Sequence, residues 1–439
     1  MNKLPSKIQV NDVFTLCIER MSYGGKGIGF YEGKAIFVPQ TVPGDVVEVI
    51  LEKDKKRFAE ARIVTFQEYS DLRQKAPCRW MEECGGCQWQ MVHPDQQLSW
   101  KKSFVLDALR RIGKLDHIPE IIMYPAPHIF HYRNRIQLKG QYLRHGKVQI
   151  GYYAQGSHHL VNIDHCLVAQ EPINKLIQQL GSSDFAKIPA DQQFYCAVQV
   201  VSIDGQDGLL VELHPATGKA PVANSMATIK EAIEALDISS FVLTTKNITQ
   251  EFWPYDIQDG LVYWTAAGQF QQVHLSGNQL LRSHVRKLCQ AAQAKKVLDL
   301  FCGSGNLSLQ LAAFENCEVL GLEINPIAIK TAQQNIKCNA IKNASYRTAA
   351  SRQLTQHIGK DSKFDLILVD PPRAGLEEAI EPLIQAKANN IVYVSCDPNT
   401  LARDLARLTA AGYTVEKISC FDFFPHTYHI ETVVSLRLH

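Results

Sequence analysis

The chain has 439 residues, 46% of them hydrophobic, and a formal net charge of +2. That length allows two or three domains, each with its own core, and excludes a fragment that needs staples to fold. The near-neutral balance does not advertise a nucleic-acid binder, so any basic surface is local. The opening MNKLPSKIQV lacks the apolar core of a signal peptide, and no run of about eighteen apolar residues is present to span a membrane. The expectation is a cytoplasmic protein with no membrane contact and no obligate protein partner. The 12 cysteines are too sparse for a disulfide framework and are read as thiols, metal ligands or nucleophiles.

Residues 1–66 show short alternating runs, VFTLCIERM, KAIFVPQ, VVEVILEK and AEARIV, broken by Gly24-Gly25, Gly27, Gly29 and Pro43-Gly44. Short strands with Gly-rich turns and no helical period predict a small β-barrel. Lys53, Lys55, Lys56 and Arg57 fit a phosphate-tracking hairpin or a plain solvated one.

Residues 67–270 contain APCRWMEECGGCQWQ, where Cys78, Cys84 and Cys87 are spaced C-x5-C-x2-C around Gly85-Gly86. The glycines let the backbone wrap closely around a bound group. Cys166, in the turn-like NIDHCLV, is the candidate fourth ligand, whereas Cys196 sits inside the apolar strand FYCAVQVV. Four thiolates suit an iron-sulfur cluster or zinc, and spacing leaves both open. Further on, Arg133, Arg135, Lys139, Arg144 and Lys147 interleave with Tyr132, Tyr142, Tyr152 and Tyr153, a mixture suited to phosphate contact and base stacking.

Residues 271–439 alternate strands and helices, which predicts a doubly wound α/β sheet. The strand of KKVLDLFCGSGN enters a Gly-rich turn with Gly303 and Gly305, and the next strand ends at Glu323, the place of a ribose-binding carboxylate. Ser308 stands where a dinucleotide fingerprint has its third glycine, so the turn has too few glycines to cradle a pyrophosphate and suits S-adenosylmethionine better. In VSCDPNTLARD, Cys396 follows a buried-strand pattern and precedes a turn, with Thr400 the expected cap of the next helix.

MSYGGKGIGFYEGKAIFVPQTVPGDVVEV resembles a TRAM domain, an OB-like RNA-binding barrel. DLFCGSGN, LGLEINP, LILVDPPRAG, YVSCDPNTLARD and HTYHIETVVSLRL, in that order, resemble the RNA (uracil-C5)-methyltransferases, and with the cysteine cluster and the barrel they resemble the type that acts on 23S ribosomal RNA. The resemblance implies a Rossmann-like S-adenosylmethionine-dependent methyltransferase domain behind a TRAM barrel and a central β-rich cluster-binding domain. It implies Cys396 as nucleophile, Glu431 as base, and Cys78, Cys84, Cys87 and Cys166 as ligands of a [4Fe-4S] cluster. Its cofactor contacts fall on Gln272, Phe301, Asn306, Glu323 and Asp370.

Three positions depart from that pattern. Ala349 and Ala350 replace a polar adenine contact, and His274 replaces an expected Asn. The chemistry accounts for the two catalytic groups, since uracil C5 becomes nucleophilic only after a thiolate adds to C6, and the adduct then needs a base for the C5 proton. A thiolate is expected to draw on helix N-terminal amides or on Arg373 or Arg403. Phe270 is a candidate platform for the flipped uracil. The rival readings are a transfer RNA or other ribosomal uridine as substrate, an amino methyltransferase suggested by DPPR, and an RNA-binding module with an inactive catalytic fold.

Overall fold

Gly-rich turns and alternating apolar residues build the six-stranded N-terminal barrel between Val13 and Glu68, hydrogen-bonded in the order first, fifth, sixth, fourth, third, second. The computed structural model describes residues 8–183, 193–203, 206–215, 240–245, 255–264, 270–350 and 363–439, with a few single residues between 227 and 235. Leu16, Ile36, Val38, Val47, Val49 and Leu51 fill the barrel. A Cβ on Gly29 would collide with the Cys17 carbonyl, so the crossing of strands there requires glycine.

The central unit is an eight-stranded, mainly antiparallel sheet between Arg135 and Trp264. The helix Glu171–Ser182 covers it through Ile173, Leu176, Ile177 and Leu180. Burial and pairing decide the fate of the basic and aromatic residues expected on an RNA face. Tyr132 and Tyr142 turn into the core, Arg133 turns toward the cysteines, and Arg135 pairs with Glu212. Only part of the set remains on the surface, where Lys139 Nζ sits 3.8 Å from the Tyr195 ring centre.

The catalytic sheet comprises β1 (Ile121–Tyr124), β2 (Lys296–Leu300), β3 (Glu318–Glu323), β4 (Ala344–Thr348), β5 (Leu366–Val369), β6 (Asn390–Ser395), β7 (Tyr413–Phe421) and β8 (Glu431–Leu438). Their order is β4-β3-β2-β5-β6-β8-β7-β1. The expected doubly wound core is present, with β2 through β6 parallel. β8 runs antiparallel between β6 and β7, and β1 comes from the segment read as central. Although the strands read as continuous apolar runs, they still alternate. Leu298, Leu300, Ile367, Val369 and Tyr393 pack on one face, and Val297, Leu366, Leu368, Val392 and Val394 pack on the other. Each such fully buried Val, Leu or Ile contributes about 1.5–3 kcal/mol.

The helices needed below are α1 (Pro94–Arg111), α2 (Leu275–Ala291), α3 (Leu309–Phe314), α4 (Pro326–Cys338) and α5 (Pro398–Ala410). α1 grips the loop that leads into β8. Lys101 and Asp422 form a buried ion pair at 2.6 Å, Lys101 Nζ also donates to the Phe424 carbonyl, and Gln97 Oε1 accepts from the His426 amide at 2.8 Å. No helix among the described residues is long and apolar enough to cross a membrane.

Candidate active site

Cys396 follows the last residue of β6, and Glu431 opens β8. Ser395 pairs with Thr432 in the antiparallel register, so the next residue out on one strand meets the previous residue on the other. The thiol and the carboxyl therefore stand at facing ends of adjacent strands. Asp370, directly after β5, completes the group: the charges of Glu431 and Asp370 both act on the Cys396 thiol. Burial, then Asp370, holds the Glu431 carboxyl well above the usual carboxylate range, and burial pushes Asp370 up to about 7.

Burial, then Glu431 and Asp370, pushes the Cys396 thiol up to about 12, with Arg373 pulling the other way. Of the expected activators, Arg373 favours the thiolate but is outweighed, and the cause is local. Asp397, not Thr400, caps α5: its Oδ1 accepts from the amides of Asn399 at 2.8 Å and Thr400 at 3.1 Å. The helix amides are consumed by that carboxylate before they reach the sulfur. Arg403 bonds Asp404 and the Ala374 carbonyl, which fixes the loop carrying Arg373 instead of serving the thiol. His429, 3.5 Å from Arg373, is pushed down to about 4 by burial and that cation and is neutral.

The carboxyl ends of β2, β3, β4 and β5 surround an open cavity of about 820 Å³ lined by Phe301, Glu323, Ile324, Ala349, Ala350 and Pro372, among others. Ligands of open α/β sheets bind at such a place. Glu323 is held over the Gly-rich turn, its Oε2 accepting from the Gly303 amide at 3.3 Å and its Oε1 from the Asn325 amide at 2.8 Å. Phe301 adopts φ 62° and Gly305 φ 84°, where a Cβ on Gly305 would meet the Tyr346 hydroxyl at 2.7 Å. Ser308, in the place of a third fingerprint glycine, bonds that same hydroxyl at 2.9 Å.

Asn306 and Gln272 are not among the residues that line this cavity. Asn306 forms a reciprocal amide pair with Asn278 of α2, at 2.9 and 3.0 Å, and Gln272 is buried just ahead of that helix. His274 caps α2, with Nδ1 accepting from the Gly277 amide at 3.1 Å while Nε2 donates to the His128 carbonyl at 3.1 Å. Its place in the sequence is thus explained by helix capping. Phe270 is 79% exposed and available to a base. Asp299 escaped the sequence reading. Burial raises its carboxyl to about 8 and leaves Oδ2 without a partner. An acid in the middle of the apolar strand KVLDL was the available signal.

Cys78, Cys84, Cys87 and Cys166 line one pocket. Cys196 is fully buried in the central sheet and apart from them. Among the described residues, no three His, Cys, Asp or Glu side chains stand close enough to share one metal ion. Burial pushes the thiols of Cys78, Cys84 and Cys87 up, Cys84 to about 11 and Cys87 to about 12. Donors nevertheless address the sulfurs: the Gly86 amide reaches Cys84 Sγ at 3.4 Å and Gln90 Nε2 reaches Cys87 Sγ at 3.3 Å. Arg133 borders the same cavity with its buried Nε unpartnered. The amides of Gln88 and Trp89 both donate to the His426 carbonyl, at 2.8 and 3.0 Å, so the cysteine loop docks on the segment before Glu431.

Residues 7–64 match the TRAM domain family, and residues 239–439 match the family described as tRNA (Uracil-5-)-methyltransferase. An RNA methyltransferase of Halalkalibacterium halodurans, itself uncharacterized, is 30% identical over 459 residues and covers 100% of both chains. The chain belongs to the RNA (uracil-5-)-methyltransferase family. Another member, an uncharacterized RNA methyltransferase of Aquifex aeolicus, is 32% identical over 438 residues, spanning 96% of this chain and 98% of its own. The tRNA (uracil-54, C5)-methyltransferase of Pyrococcus abyssi, solved with S-adenosyl-L-homocysteine, superposes with TM-score 0.72 at 26% identity, covering 96% of this chain and 99% of that one. Membership makes the protein a methyltransferase dependent on S-adenosylmethionine and carrying an RNA-binding barrel.

Proposed function

We propose that the protein forms 5-methyluridine in RNA, with Cys396 as nucleophile and Glu431 as base. The observation that carries this reading is the placing of the two groups at facing strand ends, beside the cavity under Glu323. The Cys396 thiolate adds to C6, and the electron pair moves to C5 and O4 as an enolate. C5 takes the methyl group from the sulfonium of S-adenosylmethionine, whose sulfur leaves with the bonding pair. Glu431 removes the C5 proton, the C5–C6 double bond reforms, and the C6–S bond breaks to return the thiolate. A carboxyl whose pKa is raised by burial is a stronger base once ionised, which suits this step. Phe301, Glu323 and Asp370 are assigned to the cofactor, and Gln272 and Asn306 to shaping its approach.

The preferred substrate is 23S ribosomal RNA. The full-length likeness to a transfer RNA enzyme favours transfer RNA as the second reading. Cys78, Cys84, Cys87 and Cys166 are proposed to hold a [4Fe-4S] cluster. Sulfurs spread around a cavity suit a polynuclear group better than zinc, which draws its ligands to about 2.3 Å. The N–H donors and the Arg133 cation favour an anionic group there. The cluster would lock the cysteine loop against the segment before Glu431 and takes no part in the chemistry. Visible absorption and iron content of anaerobically purified protein test it, and a colourless, zinc-loaded protein removes it.

The deciding experiment is tritium release from C5-labelled uridine in 23S ribosomal and transfer RNA transcripts, for wild type and Cys396→Ala. Release that requires S-adenosylmethionine and Cys396 is expected, and the faster transcript names the substrate. Methyl incorporation without release would replace this reading with amino methylation, and RNA binding without incorporation would leave a binding module.

A further inference from the structure

The barrel reaches the nucleophile directly. Between its second strand, Arg20–Met21, and its third, Gly27–Tyr31, a turn pushes Tyr23 into the catalytic domain. The Tyr23 hydroxyl donates to Asp397 Oδ2 at 3.1 Å and lies 3.5 Å from the Cys396 carbonyl oxygen. Asp397 is thus divided, one oxygen capping α5 and the other held from the barrel. The Tyr23 ring meets Tyr428 edge-on at 5.4 Å, and Tyr428 lies against His429 at 4.2 Å, in the segment that leads to Glu431. The turn is shaped for this approach. Gly25 adopts φ 83°, and a Cβ there would press on Gln88 and Tyr428 at 3.2 Å, while its carbonyl accepts from Trp89 Nε1 at 3.3 Å.

Packing alone does not account for the hydroxyl. A phenylalanine would fill the same space among Met21, Trp89, Phe104 and Tyr428, yet the oxygen has a charged partner beside Cys396. Asp397 is one of the carboxylates that oppose ionisation of the thiol. A hydrogen bond from outside draws its charge away from the sulfur and fixes the backbone on which the sulfur is carried.

We propose that Tyr23 is a positioning residue for the nucleophile: through Asp397 it holds Cys396 in its attacking orientation, so that the RNA-binding barrel takes part in the catalytic step as well as in RNA capture. This rests on Cys396 being the nucleophile.

The test compares full-length wild type, Tyr23→Phe, Asp397→Asn and the double variant in methyl transfer to the active transcript, with Cys396→Ala alongside. RNA affinity, melting temperature and iodoacetamide alkylation of Cys396, read by peptide mass spectrometry, are measured on the same proteins. Tyr23→Phe is expected to lower kcat about tenfold, the order lost with one hydrogen bond to a charged group. RNA affinity and melting temperature stay put, alkylation at fixed pH slows, and the effect vanishes in the Asp397→Asn background. Wild-type kcat in Tyr23→Phe overturns the proposal, as does a loss confined to RNA affinity or one that adds fully to Asp397→Asn. An active Cys396→Ala instead removes the assignment of the nucleophile, which keeps the two failures apart.

Discussion

Two cysteine sites lie on either side of the segment 422–430, and their surroundings are opposite in sign. The lone thiol of Cys396 stands among Glu431, Asp370 and Asp397, with Arg373 the counteracting cation. The quartet of Cys78, Cys84, Cys87 and Cys166 has an amide, a carboxamide and the Arg133 guanidinium turned toward it. Burial raises thiol pKa values at both, so desolvation does not distinguish them. The neighbours do. The quartet has hydrogen-bond donors and a cation facing its sulfurs, whereas the Cys396 pocket has a surplus of carboxyls that a cationic sulfonium complements.

The sharpest contrast is in reactivity. Cys396→Ala is expected to lower methyl transfer about ten-thousand-fold or more while leaving the melting temperature and any brown colour intact. Glu431→Gln should stop the reaction one step later, after the methyl group has moved. A covalent protein–RNA adduct then accumulates on denaturing gels, and its absence would place the base elsewhere. Cys166→Ser should do the reverse of Cys396→Ala, losing nearly all iron and lowering the melting temperature, whereas Cys196→Ser keeps its iron. Equal iron in both variants would break the comparison.

Charge sign also sets the pH response. With Cys396 and Glu431 both raised, the working thiolate and carboxylate forms grow as pH rises. The value of kcat/KM should therefore climb from about pH 6 to about pH 9, near tenfold per unit while one ionisation limits. A flat profile would mean the thiol is already ionised. The smallest effect is expected at His274. His274→Ala removes a helix cap and should cost about 1 kcal/mol in denaturant unfolding, with cofactor affinity unchanged.

The apolar runs that end at Glu323, Asp370 and Cys396 marked the carboxyl edge of the sheet because a buried strand has to stop where polar chemistry begins. The barrel was visible through its glycines for the same kind of local reason. What the sequence hides is long-range pairing. Nothing near HTYHIE shows that β8 inserts antiparallel beside β6 and brings Glu431 to Cys396. Nothing in IIMY shows that it joins the catalytic sheet beside β7. Thr400 was a sound cap candidate, but Asp397 stands immediately ahead of the N1 proline Pro398 and takes the amides first. Among the residues read as RNA-facing, Tyr142 is turned inward by strand alternation while Lys139 stays outside, and only the register tells which. The sign of the field at Cys396 depends on Asp397, its sequence neighbour, and on Glu431 and Asp370, which reach it only in the folded chain.

The insertion of β8 between β6 and β7 also bears on biosynthesis. Glu431–Leu438 follows every other strand of that sheet in the sequence, yet it occupies an interior position. A nascent chain that has emerged only as far as Cys396 ends that sheet at the open edge of β6, without Glu431. Translation must pass the last strand before the thiol and the carboxyl can meet, so the pair is assembled only as that strand leaves the ribosome.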